Sequence, residues 1–413
     1  MTRRQANRRR GIVLIIVLWA VAILAVICLA LGGTAQYRQT HARRGREAAV
    51  ERAGLLAAGD RAKRLILDDT PDADTLADAW SGTDAARFTL ELNGRSVRLV
   101  ADEAAARWGL TDEAARLNAN TADAETLAAL PEMTRAVAEA FVALRDAGAG
   151  GADALSAPVP GPTGPLATPD EVLGVLDAAF ERSGLGGAPE APGEMVSDAA
   201  RAVEPYLTVF TRQRNVTADG APRVNLNMAG RDELADRLGD VLDDAQLDAI
   251  VAWRDAAPFA GIGGLLLRER TVPDGQGGEQ IVRVGRAAFT AIADRLTVTD
   301  EAILVGRVNV NTAPTAVLAA LPALSEANAA ALVDARADIE TPGNIAWTLS
   351  VLDDGTFAGV CERLTTRTAQ FRLHARCDTF DRPRGSTHSP AREAVAVIER
   401  DAGRVRTVYW SQW

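Results

Sequence analysis

The sequence predicts an α+β protein with a long N-terminal helix, a small antiparallel sheet and a large inserted all-α domain. Three observations support this fold class. An uncharged run of 20 apolar residues occupies 12–31. Segments of alternating polarity, typical of half-buried strands, stand at 85–101 and again at 368–413. Between them, residues 110–367 are rich in helical patterns that recur along the chain.

The apolar run is long enough to cross a membrane. A helix of 20 residues covers roughly 30 Å, the hydrocarbon thickness of a bilayer. Five arginines and a single glycine, Gly11, precede the run, and four more arginines follow it within 38–46. Charge therefore gives only a slight bias toward a cytoplasmic N-terminus. A cleavable signal peptide ending near Ala30 or Gly32 and a plain membrane anchor are the alternatives.

The helical period continues beyond the apolar run. Small and apolar residues recur every three or four positions through 34–70, with charged residues on the other face. We therefore expect one helix from about Ile12 to Asp68, apolar on all sides in 12–33 and amphipathic in 34–70. The proline that follows Thr70 ends it.

The strands of the small sheet are predicted from alternation and from turn residues. Within 85–101, two alternating segments flank Asn93 and Gly94, a pair preferred in two-residue hairpin turns. The same signals predict three closing strands, at 370–377, 393–399 and 404–410.

The inserted segment contains three copies of one pattern, at 117–147, 224–256 and 308–338. Each copy begins with Asn-x-Asn, continues with a short helix and a turn, and closes with a second helix that ends near an arginine. We interpret the second asparagine of each copy as a helix cap, because its side chain can accept hydrogen bonds from free N–H groups. These residues are Asn120, Asn227 and Asn311.

Two stretches of the insertion, 147–169 and 183–194, are rich in glycine, proline and alanine, and we interpret them as linkers. Near the C-terminus, Cys361 and Cys377 could form a disulfide in an oxidising compartment. Whether their sulfurs meet does not follow from the sequence.

Charge and composition argue against several classes of function. The net charge is −10, and without 1–11 it would be −15, since 40 basic side chains would remain against 55 acidic ones. We expect no nucleic-acid partner, because phosphate binding depends on lysine and arginine. No cysteine and histidine spacing, phosphate-binding glycine loop or paired nucleophile and base indicates an enzyme.

Together these features resemble the minor pseudopilin K family of type II secretion systems over nearly the whole chain. A basic leader ending in glycine (1–11), an apolar helix, a hairpin, helix-hairpin-helix-like repeats and closing strands follow one another as in that family. The resemblance implies a pilin-like fold. The stretch "VNVNTAPTAVLAALPALS" is also very close to the membrane-attached DNA receptors of competence systems.

A membrane-tethered DNA receptor is therefore the alternative function. Helix-hairpin-helix modules contact phosphate through the backbone of a glycine-rich hairpin. The hairpins here, 130–134, 238–242 and 321–325, lack the paired glycines. This difference favours the secretion subunit.

The family resemblance implies a processing site and a position in a fibre. A prepilin peptidase at the cytoplasmic face would cut after Gly11 and methylate Ile12. The fifth mature residue would be Ile16, where most pseudopilins carry glutamate and the K member is apolar. We expect a non-enzymatic inner-membrane subunit with a periplasmic head. It would start pseudopilus assembly at the tip with other minor pseudopilins and support protein export across the outer membrane.

Pilin-like proteins often bind calcium through carboxylates in loops, and hard cations prefer such oxygen ligands. Acidic pairs in loops are, however, usually only solvated. The candidate ligands in this chain are Asp353, Asp354, Asp378 and Asp381.

Overall fold

The computed structural model describes residues 4–69, 72–103, 105–149, 164–185, 197–273, 278–340, 342–378 and 392–413. Within them, the side chains of 4–12, 32–35 and 148–149 are not described. The predicted linkers, 147–169 and 183–194, lie largely outside the described residues.

The α-helices of the described residues are α1 (Arg4–Leu67), α2 (Ala124–Ala128), α3 (Arg135–Ala149), α4 (Pro169–Arg182), α5 (Asp198–Val203), α6 (Arg231–Leu238), α7 (Asp244–Ala256), α8 (Arg286–Ile292), α9 (Thr315–Ala319), α10 (Glu326–Ala335) and α11 (Asp354–Val360). The strands are β1 (Ser81–Gly82), β2 (Thr89–Leu92), β3 (Arg95–Asp102), β4 (Arg107–Asp112), β5 (Leu117–Asn118), β6 (Leu207–Thr208), β7 (Arg212–Arg214), β8 (Val224–Asn225), β9 (Glu269–Pro273), β10 (Glu279–Arg283), β11 (Leu296–Thr297), β12 (Ile303–Val305), β13 (Val308–Asn309), β14 (Leu364–Thr365), β15 (Gln370–Cys377), β16 (Arg392–Asp401) and β17 (Arg404–Gln412).

Helix α1 has two halves with different surroundings. The large apolar side chains from Val13 to Leu31 are 49–77% exposed. Within the part of the chain that the structure describes, α1 is the one helix long and apolar enough to cross a membrane, with a window of mean hydropathy 3.3. In the second half Leu55, Ala58 and Ala62 are buried on one face. This confirms the predicted long helix with an apolar first half.

An antiparallel sheet covers the second half of α1. Its strand order is β1-β4-β3-β15-β16-β17, and β2 pairs with β3. The hairpin predicted from the sequence forms β2 and β3, with positive φ angles of 50° at Asn93 and 74° at Gly94. A long apolar helix with an antiparallel sheet is consistent with the α+β, pilin-like architecture expected above.

Two glycines let α1 approach the sheet closely. A Cβ atom on Gly54 would lie 2.8 Å from Cγ2 of Val97, and one on Gly59 would lie 3.1 Å from Cζ3 of Trp410. The core between helix and sheet also includes Trp80, which is fully buried. Small residues on this face of α1 are thus required by the distance between the two layers.

Strand β4 was not predicted, and it connects the sheet to the insertion. Gly109 in this strand has φ +107°, and a Cβ atom there would lie 2.1 Å from the carbonyl oxygen of Trp80. At the end of β4, Asp112 is the register partner of Phe371 in β15. The insertion therefore leaves the sheet and returns to it at adjacent positions.

The insertion has its own hydrophobic cluster, distinct from the one between α1 and the sheet. The prediction of an all-α insertion is wrong in one respect. The segment is mainly helical, but it also contains five two-stranded pairs among its described residues. Most of these strands have two or three residues, which is too short for alternation to show in the sequence.

Three of the strand pairs are parallel and repeat with the Asn-x-Asn pattern: β5 with β6, β8 with β11, and β13 with β14. The first strand of each pair contains the first asparagine, and the second strand is a Leu-Thr dipeptide. One further helix, α5, α8 or α11, follows the earlier helices of its copy and precedes the Leu-Thr strand. The structural repeat is thus longer than the repeat read from the sequence.

Candidate functional site

The first asparagine of each Asn-x-Asn pair closes a local turn. Its side-chain oxygen accepts a hydrogen bond from the backbone N–H of the second asparagine, at 2.8–3.0 Å in the three copies. The helices that follow begin four residues later, and their N-caps are Asp123, Gly230 and Pro314. The predicted capping role of Asn120, Asn227 and Asn311 is therefore wrong, because a turn separates them from the helix.

The second asparagines instead hold a distant loop. The side chain of Asn120 both donates to and accepts from the backbone of Leu166, at 2.9 and 2.8 Å. Asn227 forms the same two bonds with Phe259, at 3.0 and 2.8 Å. Asn311 donates to the carbonyl oxygen of a later loop residue, Pro342, at 3.0 Å. Each asparagine thus stabilises the loop that follows the second helix of its copy.

The arginine at the end of each second helix also forms a hydrogen bond to the backbone. Its guanidinium donates to the carbonyl oxygen of the alanine two residues after the second asparagine, at 2.6–2.7 Å. The pairs are Arg145 with Ala122, Arg254 with Ala229, and Arg336 with Ala313. These arginines hold the two ends of each repeat together, and this role is structural.

The predicted calcium ligands are not brought together. Asp353 caps α11 by accepting from the backbone N–H of Thr356 at 2.9 Å. Asp354 pairs with Arg286 and Asp378 with Arg98, each at 2.7 Å. Asp381 lies outside the described residues. A different acidic group, Asp69, Asp74 and Asp78, has its oxygens within 4.8 Å of one another, but Arg400 already pairs with two of its members.

The two C-terminal cysteines are free and belong to different hydrophobic clusters. Cys361 follows α11 in the insertion, where its sulfur accepts from the backbone N–H of Gly263 at 3.4 Å. Burial raises the pKa of the Cys361 thiol to about 11. Cys377 lies on the inner face of β15, against α1. The disulfide considered from the sequence is therefore not formed.

The predicted processing and assembly residues lie in the first half of α1. Gly11 and Ile12 are helical, and their surroundings are outside what the structure describes. Ile16 is 61% exposed, like the apolar side chains around it. An apolar side chain with this exposure fits a segment that is surrounded by lipid or by other helices.

The sheet and the insertion meet at a set of buried charged residues, Asp74, Asp112, Glu113, Arg372 and Arg400, which we call the junction. Three of these side chains are fully or almost fully buried carboxylates, at 0–2% exposure. Each is held by donors from the opposite part of the molecule or from the sheet. Arg372 is also buried and Arg400 is half-buried, and the sequence did not predict this group.

Arg372 connects the sheet to the first repeat. Its Nε donates to Oε1 of Glu113 at 2.6 Å, and its Nη1 donates to Oε1 of Glu204 at 2.8 Å. Glu113 also accepts from the hydroxyl of Thr208, in β6. Burial alone would lower the pKa of Arg372, but the two carboxylates outweigh it and raise that pKa. The arginine is therefore charged, and its hydrogen bonds are made to these two carboxylates.

Asp112 connects the sheet to the third repeat. Its carboxylate accepts from Nδ2 of Asn309 at 2.8 Å, from Oγ1 of Thr312 at 2.6 Å and from the backbone N–H of Ala114 at 2.7 Å. Burial raises the pKa of Asp112 above its usual range, and these hydrogen bonds oppose the rise. The first asparagine of the third repeat thus anchors the insertion to the sheet.

Asp74 holds the loop after α1 against the closing strands. It accepts from Nη2 of Arg400 at 2.7 and 2.9 Å and from the backbone N–H of Thr368 at 2.7 Å. Burial raises the pKa of Asp74 from 3.8 to about 7, because the loss of hydration outweighs the attraction of Arg400. Near neutral pH this carboxyl therefore exchanges a proton with solvent while the protein is folded.

We expect the protein to become more stable as the pH falls from 7 to 5. The pKa of Asp74 is higher in the folded than in the unfolded chain, so the folded state holds a proton that the unfolded state releases. This contribution is complete below about pH 4, is lost as the pH rises through 7, and amounts to about 1.4 kcal/mol per pH unit at most. Urea unfolding of the detergent-solubilised chain at both pH values measures it.

The Asp74→Asn variant should show a weaker pH dependence, and the part that remains is due to Asp112, whose pKa is also raised by burial. A matched control is Asp60→Asn, because Asp60 lies on the exposed surface of α1, where it pairs with Lys63. That control should keep the slope of the unmodified protein. Parallel pH profiles for Asp74→Asn and the unmodified chain would contradict the assignment.

The strands that pair with the three Asn-x-Asn strands do share a short pattern in the sequence. The tripeptide Arg-Leu-Thr occurs at 295–297 and 363–365, and Tyr-Leu-Thr occurs at 206–208. These tripeptides mark the strands that pair with the three Asn-x-Asn strands. Two identical residues in each copy are too few to stand out without the structure.

No protein-family profile matches the chain, and no curated protein matches it in sequence. Among solved structures, the chain is similar to a chain of the GspK-GspI-GspJ complex from the enterotoxigenic Escherichia coli type 2 secretion system. The identity is 13%, the alignment covers 90% of this chain and 99% of that chain, and the TM-score is 0.33.

Proposed function

We propose that this chain is a membrane-anchored structural subunit, a minor pseudopilin that stands at the tip of a type II secretion pseudopilus. It starts fibre assembly with other minor pseudopilins and supports protein export across the outer membrane. The head lies in the periplasm and the N-terminus in the cytoplasm, where a prepilin peptidase removes the leader. The role is scaffolding and requires no catalytic residue.

One observation carries the proposal: α1 continues without a break from an exposed apolar half into a half that forms the core of the head. A cleaved signal or a flexible anchor would not need this continuity. A fibre of packed helices does, because the rigid helix fixes the head relative to the membrane segments of its neighbours. The arginine leader that ends in Gly11 supports the same interpretation.

The position at the tip rests on the insertion and on Ile16. The insertion leaves the sheet after Asp112 and returns at Phe371, so its whole bulk stands at one place on the head. A subunit inside a uniform fibre must offer contact surfaces on both sides. A head of this size favours neighbours below it only, and an apolar Ile16 removes the acid that would pair with a subunit added above.

Processing tests the proposal most directly. Mass spectrometry of the membrane-extracted protein should find an N-terminus at Ile12 that carries a methyl group. Substituting Gly11→Leu should leave the leader attached, because prepilin-type cleavage follows a glycine. An N-terminus near Gly32 would show a soluble, secreted protein and would reject the proposed role.

Labelling tests the position in the fibre independently of processing. Gold particles directed to the insertion should mark only the ends of pseudopili seen by electron microscopy. A label on the major fibre subunit, used as the control, should mark the whole shaft. Particles spaced along the shaft by the first label would show that the subunit is not confined to the tip.

A further inference from the structure

A large open cleft lies between the sheet and the insertion, beside the junction. Its volume is about 920 Å³, at the upper end of the range usual for ligand pockets. Strands β4 and β15 form one side, and α4 and the residues after α5 form the other. We call it the junction cleft.

Two buried donors in the wall of the junction cleft have no partner within the described residues. Nε1 of Trp80 belongs to a side chain with 0% exposure, and Nη1 of Arg116 belongs to one with 12% exposure. The contact between Nη1 of Arg116 and Oε1 of Glu204, at 3.9 Å, is too long for a hydrogen bond. Burying an unsatisfied donor costs about 1–3 kcal/mol. Each of these two buried N–H donors therefore lacks a hydrogen-bond acceptor among the described residues.

Within the described part of the chain, two further arginines of the cleft use only one nitrogen of the guanidinium group for hydrogen bonds. Arg107 donates through Nη2 to Leu76 and Ser81, and Arg336 donates through Nη1 to Ala313. Neither forms an ion pair with a carboxylate among the described residues. Burial lowers the pKa of Arg336, and the nearby positive charge of Arg107 lowers it further. Both arginines thus line the same cleft without a carboxylate ion pair among the described residues.

Five carboxylates also line the cleft, and each accepts a hydrogen bond within this chain, but among the described residues none of them forms an ion pair with Arg107 or Arg336. They are Asp102, Asp112, Asp170, Glu204 and Glu393. The unmet requirement in the cleft is therefore for acceptor atoms with negative charge. A carboxylate matches an arginine fork in two parallel hydrogen bonds.

Part of the remaining wall is apolar or aromatic, with Leu76, Leu173, Val395, Tyr206 and Trp413. The indole of Trp413 is 61% exposed. Such apolar and aromatic side chains offer contact area to the side chains of a peptide and not to a small anion. We propose that the junction cleft binds an extended acidic segment of a partner protein, whose carboxylate is received by Arg107 and Arg336. This site does not depend on the proposed role in a fibre.

The test uses the full-length chain in detergent and the peptide acetyl-Val-Glu-Val-Glu-Val-amide with a neutral coumarin label. Fluorescence anisotropy should show saturable binding, and the peptide with glutamine in place of glutamate should bind at least tenfold more weakly. Arg336→Gln and Arg107→Gln should each weaken the acidic peptide about tenfold, which corresponds to the loss of one charged hydrogen bond worth about 1.4 kcal/mol.

Arg231→Gln is the matched control, because Arg231 bonds to Asp244 and Asp248 away from the cleft. It should bind the acidic peptide as the unmodified protein does, and circular dichroism should show that all three variants are folded. Equal affinity for the glutamine peptide, or unchanged affinity in both cleft variants, would overturn the proposal. Displacement of the peptide by glutarate at the peptide's own concentration would overturn the requirement for a peptide.

Discussion

Replacing Gly109 with alanine is expected to disrupt the centre of the sheet. At φ +107° an L-residue is strained, and the new Cβ atom would lie 2.1 Å from the carbonyl oxygen of Trp80 and 2.8 Å from Cε1 of Phe88. The backbone of Trp80 cannot move away from the new Cβ atom as the end of a flexible side chain could. Strain and overpacking together predict a loss of about 4 kcal/mol in the free energy of unfolding.

Hydrogen exchange followed by mass spectrometry measures this effect locally. Peptides that contain β4 and β15 should exchange much faster in Gly109→Ala, while those from the insertion core should change less. Gly94→Ala is the matched control, because Gly94 also has a positive φ of 74° but nothing lies within 4 Å of a Cβ atom there. It should cost about 1 kcal/mol. Similar exchange in the two variants would show that the close approach at Gly109 is not what destabilises the sheet.

Replacing Arg372 with methionine is expected to separate the insertion from the sheet. The substitution leaves Glu113, which has 0% exposure, and the partly buried Glu204 without their shared cation. Removing one partner of a buried ion pair costs about 3–5 kcal/mol. Limited proteolysis should then cut at the edge of the insertion at a protease concentration that leaves the unmodified chain intact.

Two comparisons separate this effect from loss of an arginine in general. Arg135→Met removes an exposed pair with Glu139 on α3 and should cost less than about 0.5 kcal/mol. Adding Glu113→Gln to Arg372→Met removes the stranded charge and should recover part of the lost stability. Failure of the double variant to improve on Arg372→Met would mean that the packing of Arg372, and not its charge, holds the two parts together.

The elements with long periodic patterns were predictable from the sequence. The apolar and amphipathic halves of α1 follow from 3.6-residue spacing, and the hairpin follows from Asn93 and Gly94. Strand β4 was missed because its pattern is interrupted by Gly109, a residue that usually weakens a strand. Here the glycine is required by the neighbouring backbone, which the sequence does not reveal.

The junction could not be predicted, because it depends on contacts between residues far apart in the chain. Arg372 meets Glu113 across 259 positions, and Asn309 meets Asp112 across 197. A charged residue in a strand is most simply expected to face solvent. The sequence also suggested helix caps at Asn120, Asn227 and Asn311, since the local preference of asparagine says nothing about the loop that each one binds.

The adjacency of Asp112 and Phe371 constrains the order in which the chain can fold. If β4 and β15 paired first, they would close an unstructured loop made of residues 113–370, at an entropic cost of about 5 kcal/mol. A folded insertion brings its own ends together and removes that cost. We therefore expect the insertion to fold before the sheet is complete, because α1 and β2–β4 cannot complete the sheet until β15–β17 have been synthesised. A slow step in the repeats would then delay the whole head, and the exposed edge of β3 would be vulnerable to aggregation during the delay.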